Sequence, residues 1–272
     1  MLCFLTMLLA IGGLTACNTN PSGTYTIRVV TEGGMLLDEI GIRVYTDDTK
    51  EDIVVAGETD DGVYAFESEG SVGNMIYLED VPMGYVVKDS YEITAQDMEI
   101  VLESQLLSLE EADGLKFRLG NVFADFTVAD PDGTKYTISE ILKEKKAVVL
   151  NFWYMGCEPC KMEFPYLEVA YGKYKDDIEV LAINTVDGTN ENITEFKKQN
   201  QYTFPMMVGT GEWSEHINMA SFPTTIIIDR FGTVAYLHHG MLTSASEFEK
   251  LFEYFSADDY KQSTIRNLSD IK

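Results

Sequence analysis

The residue pattern predicts two domains of different class, an all-β sandwich in the first half of the chain and an α/β domain in the second. Three observations carry that expectation. Between residues 24 and 103, short runs rich in β-branched and aromatic residues alternate with turn residues. After residue 120, almost wholly apolar runs alternate with amphipathic ones, as buried strands alternate with the helices that cover them. The acidic excess behind the net charge of −25 is steeper before residue 110 than after it, which puts a compositional break at the same place. With 45% apolar and 24% charged residues among 272, the composition is globular. The charge argues against nucleic acid as a partner, because a polyanion would be repelled and no basic stripe offsets that. Its plainest reading is solubility.

The first 16 residues, MLCFLTMLLAIGGLTA, are uncharged and apolar, too short for a mature membrane span, and read as the hydrophobic region of a secretion signal. Leu14-Thr15-Ala16-Cys17 resembles a bacterial lipobox, where cleavage before the cysteine leaves it lipid-modified. The resemblance implies a lipid anchor on Cys17, a polar tether over 17–23, and an extracytoplasmic place on the bacterial cell membrane. Stable attachment then relies on multiple acylation, since one chain holds only marginally. The segment departs from an export signal in that no Lys or Arg precedes the apolar run. Cys3 would leave with the signal and Cys17 would be acylated, so Cys157 and Cys160 would be the remaining thiols, in a compartment where disulfides persist. A structural framework would show more cysteines at wider spacings.

Over 24–104, strands are expected at TYTIRVV (24–30), IGIRVYT (40–46), GVYAFES (62–68), NMIYLEDV (74–81), YVVKDSYEI (85–93) and MEIVLE (98–103). Gly33-Gly34, Asp47-Asp48, Asp60-Asp61-Gly62 and Pro82-Met83-Gly84 supply turns between them. Six or seven short strands at this spacing predict an antiparallel sandwich. The run from DGVYAFESEG to YVVKDSYEI resembles the prealbumin-like or Cna-B type repeat of bacterial surface proteins. Some members of that group carry a Lys–Asn cross-link with the lysine in the first strand. Residues 23–46 contain Arg28 and Arg43 but no Lys, so no cross-link is expected. With no catalytic constellation in view, this domain reads as a spacer or recognition module.

Residues 105–119 form a polar, helical-looking linker, and 120–256 the α/β domain. AVVLNFW (147–153) is a central buried strand. A helix starts at CEPC, and Pro165 inside it predicts a kink or break. IEVLAINTV (178–186) is a second buried strand and ENITEFKKQNQ (191–201) an amphipathic helix. TTIIIDR (224–230) and TVAYLHHG (233–240) make a hairpin around Phe231-Gly232. SASEFEKLFEYF (244–255) follows a Ser cap and sets Phe248, Leu251, Phe252 and Phe255 on one face. Residues 257–272 read as a polar tail. The order β-α-β-α-β-β-α is that of the thioredoxin fold.

Cys157-Glu158-Pro159-Cys160 is open, on its own, to three readings: a redox pair, half of a metal site, or a staple. Cysteines at i and i+3 share one face of a first helical turn, close enough for a disulfide. The first lies where unpaired amides and the helix dipole stabilise a thiolate, so Cys157 is the expected nucleophile and Cys160 the resolving thiol. Pro159 suits a first turn, where its missing amide is not needed. Glu158 sets a negative charge beside the thiolate, which raises its pKa and favours a reducing couple, or it is simply a solvated first-turn acid. Spacing alone does not fix the direction of electron flow.

Residues 120–255 resemble the thioredoxin-like redoxins of the TlpA/ResA type, extracytoplasmic thiol–disulfide oxidoreductases. GNVFADFTVADPDGTKYTISEI, VVLNFWYMGCEPCKMEFP and FPTTIIIDRFGTV carry the resemblance, over about half the chain. It implies a membrane-anchored enzyme without cofactor that reduces disulfides of secreted or membrane proteins, apocytochrome c among them. A membrane thiol transporter of the CcdA type would be its electron donor. It implies a proton-handling and substrate-binding role for Glu158. Thioredoxin has a buried acid two residues before the strand Trp, but here Asn151 stands there and cannot accept a proton, which points acid–base work to Glu158. Phe222-Pro223 matches the cis-proline that faces the pair and exposes backbone to a substrate strand, with Phe222 bulkier than the usual residue. Trp153 is either core or a groove wall. Pro159, Phe222, Pro223 and Trp153 are thus the candidate substrate-binding residues.

His238 and His239 could join two thiolates around a metal, but adjacent strand residues face opposite ways and copper-delivery redoxins space their cysteines more widely, so no metal is expected. A peroxiredoxin would need Thr where Tyr154 stands. The rival from another class is a surface-binding lipoprotein whose acidic sandwich recognises a partner and whose CxxC is structural.

Overall fold

A computed structural model describes residues 21–45, 53–59, 62–68, 75–108, 118–209 and 221–271. The signal segment 1–16, Cys17 with most of its tether, and the middle of the expected linker lie outside the described residues. Among the described residues no helix is long and apolar enough to cross a membrane.

The N-terminal half is built of strands. Gly23–Thr31 (β1) alternates as its sequence suggests, with Tyr25, Ile27 and Val29 buried and Thr24 and Arg28 turned outward. Gly41–Tyr45 (β2), Ile53–Val55 (β3), Gly57–Glu58 (β4), Tyr64–Ser68 (β5), Met75–Glu79 (β6), Tyr91–Glu92 (β7) and Asp97–Leu102 (β8) follow. They form two four-stranded sheets, ordered β4-β5-β1-β8 and β3-β2-β6-β7. Ile27 and Val29 from one sheet and Ile42, Val44 and Ile76 from the other share one core. The antiparallel expectation fails at one ladder: β1 and β8 run parallel, from Thr26 opposite Asp97 to Thr31 opposite Leu102. Of the expected strand over 85–93, only Tyr91–Glu92 is strand, because Tyr85 leaves to bridge Ser104.

The C-terminal half opens with the hairpin Thr127–Ala129 (β9) and Lys135–Thr137 (β10) and the short helix Ile138–Leu142 (α1). A five-stranded sheet follows, from Ala147–Trp153 (β11), Ile178–Asn184 (β12), Met206–Val208 (β13), Thr224–Asp229 (β14) and Val234–His239 (β15). Its order is β13-β12-β11-β14-β15, with β11, β12 and β13 parallel and β14 antiparallel to β11. Every residue of β11 is buried because both faces are covered. Ala147, Val149 and Trp153 face the helices Glu158–Tyr174 (α2), Asn190–Asn200 (α3) and Ala245–Ser256 (α4), while Val148, Leu150 and Phe152 pack on Phe126, Val128 and Ile138.

One expectation is revised here. Helix α2 runs unbroken through Pro165; this residue is exposed, so the carbonyl it leaves unpaired one turn earlier lies on the solvent side. The polar residues after 256 pack back onto the second domain. Ile265 donates its amide to Ala235 O at 2.7 Å, and Gln262, Ile265 and Ile271 are buried.

The two halves meet at the β14–β15 turn. Gln262 donates to Thr233 Oγ1 at 2.6 Å and to Gly33 O at 3.0 Å, and accepts from Thr31 Oγ1. Tyr85 donates to Gly120 O at 2.9 Å, and Ser104 Oγ to Phe231 O at 2.7 Å. Gly84 lies so close that a Cβ there would stand 2.4 Å from the Val122 Cβ.

Candidate active site

Strand β11 delivers the chain to the C-terminal rim of the sheet at Trp153. Residues 154–157 make a tight turn, closed by Cys157 N–H donating to Tyr154 O at 3.0 Å. Cys157 is the N-cap of α2 with an extended backbone, and its Sγ accepts the Cys160 amide at 3.2 Å. The two cysteines are joined as a disulfide, with Cα atoms 5.3 Å apart. Pro159 sits in the first turn and is exposed. Cys157 is 2% exposed and Cys160 fully buried, so of the two residues only Cys157 presents any surface.

Glu158 is solvent-facing and forms an i,i+3 ion pair with Lys161 at 3.0 Å. Phe222–Pro223 is a cis peptide on the rim beside the pair, since Thr224 lies opposite Phe152 in the sheet. The Phe222 ring meets Tyr154 edge-on, centroids 5.3 Å apart. Trp153 is a correction: it is wholly buried among Phe164 and Phe196 and offers no surface to a substrate. A residue ending a strand covered on both faces belongs to the core. His239 Nδ1 lies 3.0 Å from Thr224 Oγ1, and His238 stacks on Tyr236, with its pKa lowered by burial. Among the described residues no three His, Cys, Asp or Glu side chains are gathered to hold a metal ion.

Sequence reasoning missed one group. Glu163, one turn of α2 after Cys160, is fully buried. Its Oε1 accepts from Asn151 Nδ2 at 2.6 Å and its Oε2 from Leu242 N at 2.7 Å. Burial lifts its pKa from 4.5 to about 7 despite those two bonds, which pull the other way. The carboxyl absent from position 151 thus stands across from it, on the helix. The signal was available: Cys160, Phe164, Leu167 and Tyr171 mark the buried stripe of α2, and Glu163 lies on it.

A pair with this geometry exchanges disulfides: a thiolate at a helix N-terminus, a second thiol behind it, and a carboxyl titrating near neutrality one turn below.

Comparison with known proteins bears on the same half. A family model described as AhpC/TSA family matches residues 119–237. "Thiol-disulfide oxidoreductase ResA" of Halalkalibacterium halodurans is 30% identical over 146 residues, which is 52% of this chain and 81% of that protein. "Thiol-disulfide oxidoreductase ResA" of Bacillus thuringiensis subsp. konkukian is 33% identical over 141 residues, 51% of this chain and 78% of the other. "Thioredoxin-like protein YneN" of Bacillus subtilis is 29% identical over 134 residues, covering 48% and 78%.

Proposed function

Because the chain belongs to the family of ResA-type thiol-disulfide oxidoreductases, we propose that it reduces disulfides of extracytoplasmic proteins through Cys157 and Cys160, from a lipid anchor on Cys17. The observation that carries this reading is Cys157 at the N-cap of α2 with Cys160 behind it and the Glu163 carboxyl one turn below. The Cys157 thiolate attacks a substrate disulfide, forms a mixed disulfide and releases one substrate thiol. Glu163 takes the proton of Cys160, whose thiolate then attacks the Cys157 sulfur and expels the second substrate thiol. Two electrons pass to the substrate, and the enzyme is left as the disulfide. A carboxyl with a pKa of about 7 is well matched to that transfer near neutrality. Pro159 in the first turn of α2 and the cis Phe222–Pro223 peptide on the rim would form the surface along which a substrate segment lies.

The acids support the reducing direction. Glu158 stands in the first turn of α2 beside the pair, and Glu163 adds a second negative charge one turn below only once it has lost its proton; negative neighbours destabilise a thiolate and so favour the disulfide form of the enzyme. Electrons would then come from a membrane thiol transporter of the CcdA type, and apocytochrome c is a candidate substrate. Insulin reduction by the purified protein, with the potential measured against glutathione, tests the reading. Activity lost in Cys157→Ala supports it. No activity, with a disulfide that resists strong reductant, would leave the pair as a staple and sink the enzyme.

A further inference from the structure

The turn that leads into the nucleophile is held by a single carboxylate from another loop. Met155 N–H donates to Asp187 Oδ1 at 2.7 Å and Gly156 N–H to Asp187 Oδ2 at 3.3 Å. Asp187 is itself held in place. Asn184 Nδ2 donates to its Oδ1 at 3.2 Å, and the buried Asn184 Oδ1 accepts the amides of Val186, Asp187 and Gly188 at 3.1, 3.1 and 2.8 Å. Asn192, in the capping box of α3, donates to the Asp187 carbonyl at 3.3 Å. The loop between β12 and α3 is therefore wound around one side chain so that an acid meets the turn before Cys157.

We propose that Asp187 is a positioning residue of the redox pair: it fixes the 154–156 turn and holds the Cys157 thiolate at higher energy, biasing the couple toward reduction. This deepens the function proposed above and rests on it. A thiolate at a helix N-terminus is stabilised by the amides around it. Two amides just upstream are committed to Asp187, and the bond brings a full negative charge with it. Both effects destabilise the thiolate, and with it the dithiol form of the enzyme. The other charges near the pair have their own partners, Glu158 with Lys161 and Glu163 with Asn151 and Leu242. His239 on β15 is bonded to Thr224.

The test compares Asp187→Asn, Asp187→Ala and the remote control Asp132→Asn, which is needed because any lost acid matters slightly in a chain of charge −25. The thiolate pKa is read from the pH dependence of alkylation of the reduced protein, and the potential from equilibrium with glutathione. Asp187→Asn keeps the Met155 bond and lowers the Cys157 pKa by about half to one unit, a three- to tenfold change in acidity, with a more oxidising potential. Asp187→Ala shifts both at least as far and also slows insulin reduction at pH values where the thiolate is fully formed. The control changes neither. A wild-type pKa and potential in both Asp187 variants, whatever their melting temperatures, overturns the proposal. Wild-type protein that reduces no insulin overturns instead the function it rests on.

Discussion

Replacing Glu163 by Gln separates what burial of that carboxyl does to stability from what its proton does to exchange. Its pKa is 4.5 when free and about 7 in the fold, raised chiefly by burial. Below about pH 4 the carboxyl is protonated in folded and unfolded chains alike, and it carries no charge penalty. As the pH rises toward 7, the unfolded chain has released the proton and the folded chain has not, so stability falls. Past the folded pKa the loss is complete, at about 3 kcal/mol for a shift of roughly two and a half units. Gln cannot ionise. Its oxygen still accepts from Leu242, and its amide can donate to Asn151 Oδ1, which has no partner now, once that amide turns over. Urea unfolding of the disulfide form, where the thiols do not titrate, should therefore show the variant gaining about 3 kcal/mol on wild type between roughly pH 4 and pH 9. In stopped-flow exchange, the reduced variant should form the mixed disulfide normally but resolve it slowly, without the rise near neutrality that a Glu163 pKa of about 7 predicts for wild type. A stability difference that stays constant across that pH range refutes the burial argument. An unchanged pH profile of resolution refutes the proton transfer to Glu163.

Cys160→Ser should trap Cys157 in a mixed disulfide with insulin, visible by mass spectrometry, while Cys157→Ser traps nothing; trapping through residue 160 would reverse the assignment. Phe222→Ala removes the edge-on contact with Tyr154 and should raise KM for insulin several-fold while leaving the glutathione potential alone; a shifted potential at constant KM would contradict it. Gly84→Ala should destabilise the protein by about 1–3 kcal/mol, since the backbone has φ of 90° and the new Cβ meets Val122 at 2.4 Å. Thermal melting would show it, and a Tm equal to wild type would mean that the contact between the halves yields at no cost.

How much was legible follows from how local each signal is. Strand β11 and the start of α2 are read from consecutive residues, an apolar run and then a helix whose first turn holds Pro159. The Trp153 alternative arose because an apolar run does not say which of its ends reaches the rim surface. Strands β3, β4 and β13 have two or three residues each, and only the partner strand defines them. The parallel pairing of β1 with β8 leaves no trace in alternation, since side chains alternate in either direction. The burial of Glu163 was half legible. Its place on the apolar stripe of α2 is written in the spacing, but the partners that let an acid stay there come from β11 and from the segment after β15, 12 and 79 residues away.

The position of the sandwich decides what can reach the sulfurs. Because β14 is antiparallel to β11, Pro223 stands at the same end of the sheet as Cys157, and the β14–β15 turn stands at the other. The sandwich binds that turn directly through Tyr85 and Ser104, and indirectly through Thr31 and Gly33, which hold the Gln262 that donates to Thr233. Its contacts therefore lie at the end of the sheet away from Cys157. Strand β1 begins at Gly23, close to the proposed lipid on Cys17, and ends at Thr31 on Gln262, so nine residues of strand span about 30 Å between the tether and the second domain. The contact is not a loose hinge: a Cβ on Gly33 would fall 2.4 Å from the Gln262 Cβ, and the Thr31, Gln262 and Thr233 side chains satisfy one another in a buried chain. Were Cys17 to carry the proposed lipid, such a joint would hold the redox pair away from the membrane, with the sandwich between them. A membrane donor would then need a thiol-bearing segment long enough to rise to the same height. Shortening the tether should consequently hinder recharging of the enzyme at the membrane before it hinders reduction of insulin in solution, an order that a sandwich acting as the substrate-recognition module would reverse.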